Sequence, residues 1–158
     1  MIKIDKSKVG DKYKPFIVAE MSGNHNQSIN NALKIIDEAS KCGVDAVKIQ
    51  TYTADTLTIN SKKSDFQISD KKSLWKNQSL YELYKTAYTP WEWHKKIFNH
   101  CKKRGLICFS SPFDHTAVEF LENLNVPAYK IASFEINNIP LIEQIAKKGK
   151  PMIISTGL

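Results

Sequence analysis

The chain has 158 residues, 42% of them hydrophobic and 25% charged, and its 23 Lys+Arg against 16 Asp+Glu give a formal charge of +7. That composition excludes a disordered tail or a collagen-like chain, and the length suits a single globular domain. No stretch approaches the roughly 18 apolar residues of a membrane-spanning helix, and the opening Met1-Ile2-Lys3-Ile4-Asp5-Lys6 lacks the apolar core of a signal peptide; a cytoplasmic protein without a membrane partner is expected.

The positive charge is almost entirely lysine, since Arg104 is the only arginine. Lysine lacks the forked, stacking geometry of the guanidinium group, which argues against a nucleic-acid partner, whereas a basic balance also suits a small anionic substrate such as a phosphate. Cys42, Cys101 and Cys108 form no CxxC pair and are odd in number, so neither a zinc knuckle nor a disulfide framework is expected.

In chain order, Ile2 to Tyr13, with the turn residues Val9-Gly10-Asp11, reads as a small hairpin covering one end of a sheet. Phe16–Glu20 is a buried strand ending in a carboxylate. A polar turn follows it, and then a helix on which Ala32, Leu33, Ile35, Ile36 and Ala39 recur at helical spacing before Gly43. Further strands are expected at Ala46–Gln50, Leu106–Ser110, Ala128–Ile131 and Met152–Ser155. The helices between them have legible ends. Thr89-Pro90-Trp91-Glu92 has the form of a capping box with proline at the first helical position, and Gly105 stops the helix it opens. Asp114 and Asn138 are candidate caps, and Gly149 ends the last helix before Pro151. The long connection from about Thr53 to Tyr88 reads as a lid or substrate loop with a short helix near Leu80–Thr86. Strands separated by helices imply a parallel sheet.

The chemistry gathers at the C-terminal ends of these strands, where parallel α/β folds bind ligands. Lys48 and Gln50 are two apart and share one face, leaving Val47 and Ile49 to the helices. A partly buried lysine needs an anion, either a phosphate or carboxylate ligand or an internal partner such as Glu20 or Glu135. Lys130 on another strand, with Ser111, Ser133 and Ser155, favours the ligand, because two cations and several donors on one rim suit a phosphorylated carboxylate. Glu20 and Glu135 are candidate acid/base groups or sugar-hydroxyl ligands, or else neutralise the lysines. Ser110 is the alternative to Ser111, because a one-residue slip exchanges the two faces. His25 either orients a carboxylate or caps a loop. His94, His100 and His115 have no metal-ligand spacing. Trp91, Trp93, Tyr84 and Tyr88 read as packing rather than a base-stacking platform, and Lys95, Lys96, Lys102, Lys103 and Arg104 as the solvated face of a helix.

Five segments together resemble the sialic acid synthase family, and particularly its pseudaminic acid synthase branch: Ile17-Val18-Ala19-Glu20 with Gly23-Asn24-His25, Val47-Lys48-Ile49-Gln50-Thr51-Tyr52, Phe109-Ser110-Ser111-Pro112-Phe113, Tyr129-Lys130-Ile131-Ala132-Ser133-Phe134-Glu135 and Ile153-Ile154-Ser155-Thr156-Gly157. The finer likeness lies in Ser79-Leu80-Tyr81-Glu82-Leu83-Tyr84 and Ala87-Tyr88-Thr89-Pro90-Trp91-Glu92-Trp93-His94.

The resemblance implies an α/β fold, a TIM (β/α)8 barrel. It also implies condensation of phosphoenolpyruvate with an N-acetylated amino sugar to a nine-carbon 2-keto sugar acid, with a divalent metal of the Mn or Mg type and a homodimer in the full-length enzyme. Carried over by motif, Lys48, Gln50, Ser111, Lys130, Ser133 and Ser155 hold phosphoenolpyruvate, and Glu20 and Glu135 face the reacting carbons and the sugar. Because such a barrel takes about 250 residues, residues 1–158 are expected to form a partial barrel of about five βα units. The last three strands, the metal ligands and the antifreeze-like domain would then lie outside it, and the chain alone is expected to be inactive and prone to associate through its open edges. The alternative is a noncatalytic half-barrel that binds a phosphorylated ligand or associates with a full-length synthase.

Overall fold

The alternation of apolar and polar residues that begins at Ile2 produces a hairpin, β1 (Ile2–Ile4) against β2 (Ser7–Val9), in the computed structural model, which describes residues 1–70 and 72–157. Its turn is made by Asp5 and Lys6, not by the expected Val9-Gly10-Asp11; Asp5 takes a left-handed φ of 50°, which a short polar side chain tolerates.

The remaining apolar runs form one parallel sheet of five strands: β3 (Val18–Glu20), β4 (Ala46–Thr51), β5 (Ile107–Pro112), β6 (Tyr129–Ile131) and β7 (Met152–Ile154). Each strand neighbours the next in sequence, and the sheet curls into a half-barrel. Helix α1 (Ile29–Lys41) joins β3 to β4. The lid follows β4, with α2 (Ala54–Leu57), α3 (Leu80–Ala87) and then α4 (His94–Lys103) leading into β5; α5 (His115–Asn123) and α6 (Ile139–Lys147) complete the next two crossovers. No helix among the described residues is long and apolar enough to cross a membrane.

Side-chain alternation divides the sheet into two faces. Val47, Ile49 and Cys108 point outward and bury against Ala32, Ile36 and Ala39 of α1 and Ile97 and Cys101 of α4. Tyr129 and Ile131 do the same beneath Val118 and Leu121 of α5 and Leu141 and Ile145 of α6. At roughly 1.5–3 kcal/mol for each fully buried aliphatic side chain, these helix–sheet contacts dominate the stability. The inner face is closed at its lower end by Ala46, Ile107, Phe109 and Ala128, and Ile4 of the hairpin plugs it there.

The caps explain where the helices begin and end. Ser28, Asp114 and Asn138 accept hydrogen bonds from Asn31, Ala117 and Leu141 amides respectively, satisfying donors that a first helical turn leaves free. Gly105 ends α4 at a φ of +75°, backbone that a side chain resists. The expected capping box at Thr89 does not form. Pro90 precedes a 3-10 turn over Trp91–Trp93 with no side-chain cap, and the Thr89 hydroxyl is buried against His25 instead.

Candidate active site

Register delivers the inward polar groups to one rim. Glu20 stands opposite Lys48, Lys48 opposite Phe109, and Gln50 opposite Ser111. Ser110 stands opposite Tyr129 on the outer face, which puts Ser111 and Lys130 together on the inner one. Lys48 forms an ion pair with Glu20, its side chain 13% exposed against 44% for the carboxylate. Lys130 Nζ donates to Ser155 Oγ and to the Ile131 carbonyl, both at 2.5 Å. Burial, then the ammonium of Lys48, draws the Lys130 pKa below the ordinary lysine value, and the Glu20 carboxylate opposes the shift. The two ammonium groups, carried on strands either side of β5, therefore lie in each other's field.

Ser111 is buried on this inner face, whereas Ser110 belongs to a separate network behind the sheet. There Ser110 Oγ meets Thr51 Oγ1 at 2.6 Å, and Thr51 Oγ1 meets His94 Nε2 at 2.8 Å. Because His94 Nδ1 faces the Pro90 carbonyl at 3.2 Å and must donate to it, Nε2 accepts from the threonine. Burial lowers the pKa of His94 to about 4. His25 is likewise buried and its pKa lowered by burial; Nδ1 accepts from the Gln27 amide, so Nε2 donates to Thr89 Oγ1. Neither imidazole reaches the rim. His100 pairs with Asp37, and His115 with Gln144.

Ser133 and Glu135 lie on a 3-10 turn after β6. Glu135 Oε2 accepts from Asn138 Nδ2 at 2.8 Å, and among the described residues it forms no ion pair with either lysine. Glu20 is thus the carboxylate that neutralises Lys48.

Beside the lysine rim lies a cavity of about 370 Å³ lined by Ser22, Gln50, Trp75, Leu83 and Ala87 among others. Ser22 Oγ donates to Gln50 Oε1 at 3.3 Å. One wall is a row of rings: Tyr84 meets Tyr52 edge-on at 5.8 Å, Tyr52 meets Phe113 edge-on at 5.5 Å, and Phe113 stacks on Phe134 at 5.5 Å. Tyr52, Phe113 and Phe134 lie in the motifs that carry the family resemblance but were not among the candidate site residues. A signal for the first two was present, because they fall two residues beyond Gln50 and Ser111 and continue the inward alternation. The expected lid supplies Trp75, Leu83 and Tyr84. Trp91 and Trp93 pack instead on Phe120 and His25.

The rim offers two ammonium groups, one amide and several hydroxyls around a single carboxylate, a set that grips a small multiply charged anion. Among the described residues no three His, Cys, Asp or Glu side chains come together.

Comparison with known proteins matches residues 35–158 to the NeuB family model. The chain is 54% identical over 145 residues to pseudaminic acid synthase of Campylobacter jejuni, covering 92% of this chain and 42% of the relative. It is 49% identical over 144 residues to the Helicobacter pylori enzyme of the same name, covering 91% and 42%. In structure it resembles N-acetylneuraminic acid synthetase from Leptospira borgpetersenii, solved in complex with citrate, with a TM-score of 0.81 and 29% identity over 99% of this chain and 49% of that one. The chain thus spans about two fifths of the length of the curated relatives it matches.

Proposed function

Because the chain belongs to the NeuB family, we propose that it is the phosphoenolpyruvate-binding part of a longer synthase that condenses phosphoenolpyruvate with an open-chain N-acetylated amino sugar. The products are phosphate and a nine-carbon 2-keto acid, and the pseudaminic acid synthases are the relatives that favour this sugar class. The observation that carries the reading is the placement of Lys48 and Lys130 on one inner face by strand register, with Glu20 the carboxylate paired to Lys48, so that the rim keeps a surplus positive charge that an anionic ligand would match.

In this reading Lys48 and Lys130 hold the phosphate and carboxylate of phosphoenolpyruvate, with Gln50, Ser111, Ser133 and Ser155 as hydrogen-bond donors. The cavity beside them takes the sugar. As the enol carbon attacks the sugar carbonyl, positive charge develops on the phosphate-bearing carbon, and the carboxylates of Glu135 and Glu20 offset it while water adds there. The lysines offset the charge of the phosphate as it leaves. A divalent metal of the Mn or Mg type belongs to the proposed complete enzyme and would be held from outside these residues.

A thiobarbituric assay for the keto acid tests this proposal, with phosphoenolpyruvate and N-acetylated amino sugars supplied to the 158-residue chain and to a version extended to the length of its relatives. Product from the extended protein and none from the chain alone is expected. Inactivity of the extended protein across that sugar class would overturn the reaction, and turnover by the short chain would overturn its dependence on the remainder.

A further inference from the structure

The amide of Gln27 occupies the place of a helix C-terminal cap. Its Nε2 donates to the Thr86 carbonyl at 2.9 Å and to the Tyr88 carbonyl at 2.6 Å, taking up acceptors that the last turn of α3 leaves free. Two residues earlier His25 bonds Thr89, and two earlier again Gly23 lies so close to α3 that a Cβ on it would fall 2.9 Å from the Ala87 carbonyl oxygen. Residues 23, 25 and 27 of one loop thus hold residues 86 to 89 of the lid. The loop does so with Ser22, Asn26 and Gln27 all in left-handed backbone, φ 50°, 48° and 51°, a conformation that Asn26 tolerates well and that is uncommon at a longer side chain such as Gln27.

Both partners of this clasp line the cavity beside the lysine rim. The loop contributes Ser22, bonded to Gln50, together with Asn24 and Asn26; α3 contributes Leu83, Tyr84 and Ala87. Gln27 itself does not line it. We propose that Gln27 is a positioning residue for the acceptor sugar: by capping α3 it fixes that helix against the loop and so sets the width of the sugar cavity, acting on its helix wall rather than on Lys48 and Lys130. The inference rests on the reading above, in which the cavity takes the sugar and the lysines take phosphoenolpyruvate.

The test has two arms. In the extended protein, Gln27→Glu keeps the shape but turns a donor into a carboxylate facing two carbonyls, and Gln27→Lys keeps a donor. The Glu variant is expected to raise the KM for the sugar about fivefold or more, the effect of roughly one lost hydrogen bond, with the KM for phosphoenolpyruvate within twofold of the parent; the Lys variant is expected to restore the sugar KM. An unchanged sugar KM in Gln27→Glu, or an equal rise in both KM values, would overturn the assignment. In the 158-residue chain, amide hydrogen exchange reads the clasp independently of turnover. Gln27→Glu is expected to speed exchange at residues 84 to 88 about tenfold, with β4 unchanged, and unchanged exchange there would overturn the clasp. If the extended parent makes no keto acid, the reaction fails and the sugar-positioning role with it, whereas the exchange arm still decides whether Gln27 fastens α3.

Discussion

Lys130 on β6 shares the inner face with Lys48 on β4, one strand between them; burial, and then the charge of Lys48, draws the Lys130 pKa below the usual lysine range against the opposing Glu20 carboxylate. Glu20 neutralises Lys48, and Ser155 and a backbone carbonyl accept from Lys130, so the rim is left with one cation in excess. A partly desolvated surplus charge of this kind is costly in a site with no ligand to match it.

Glu20 pairs Lys48 and, in the proposed reaction, would also face the reacting carbons; Glu20→Gln separates the two roles. Removing the competing carboxylate is expected to leave phosphoenolpyruvate binding intact or severalfold tighter. Keto-acid formation in the extended protein should fall about a hundredfold, the scale of a lost acid/base group. Calorimetry beside the thiobarbituric assay checks this; binding that falls as far as turnover would place Glu20 in phosphoenolpyruvate binding instead.

His94 makes stability depend on pH. Its pKa is about 4 in the folded chain against an ordinary 6.5, so the unfolded chain binds the proton more tightly. The stability it contributes is full above about pH 6.5 and is lost as pH falls from there toward 4, by about 3 kcal/mol at the limit. The lowered pKa of His25 acts in the same direction. Urea unfolding at pH 7, 5.5 and 4.5 measures the slope, and His94→Gln is expected to be less stable at pH 7 but shallower across that range.

The hairpin acts as a plug through Ile4, which is buried against Ala46, Ile107 and Phe109, whereas Ile2 is exposed. Ile4→Ala is expected to cost about 2–4 kcal/mol in urea unfolding. Ile2→Ala should change it by less than about 0.5 kcal/mol. A cost at Ile4 as small as that at Ile2 would show that the hairpin is not part of the core.

What could be read from the sequence was local in origin. The inward placement of Lys48 and Gln50, the outward placement of Val47 and Ile49, and the caps at Asp114 and Asn138 follow from strand alternation and from side chains bonding amides two or three residues away. What failed depended on contacts distant in sequence. The capping box at Thr89 was lost because His25, 64 residues earlier, takes its hydroxyl. The hairpin turn is the exception, a local misreading: Asp5 accepts the left-handed backbone that the turn needs, so the chain reverses at Asp5-Lys6 before it reaches Gly10. The aromatic row from Tyr84 to Phe134 joins three strand ends and a lid helix, so only Tyr52 and Phe113 left a periodic trace. Gln27 left none, because nothing in a polar loop marks which distant helix end it will cap.

Isothermal titration of phosphoenolpyruvate into the 158-residue chain, Lys48→Ala, Lys130→Ala and the double variant tests the shared lysine grip most directly. Weak but measurable binding by the parent is expected, weakened at least about tenfold by either substitution. The double variant should lose less than the sum of the two, because both cations serve one anion. Binding unchanged in either single variant, or losses that simply add, would contradict it.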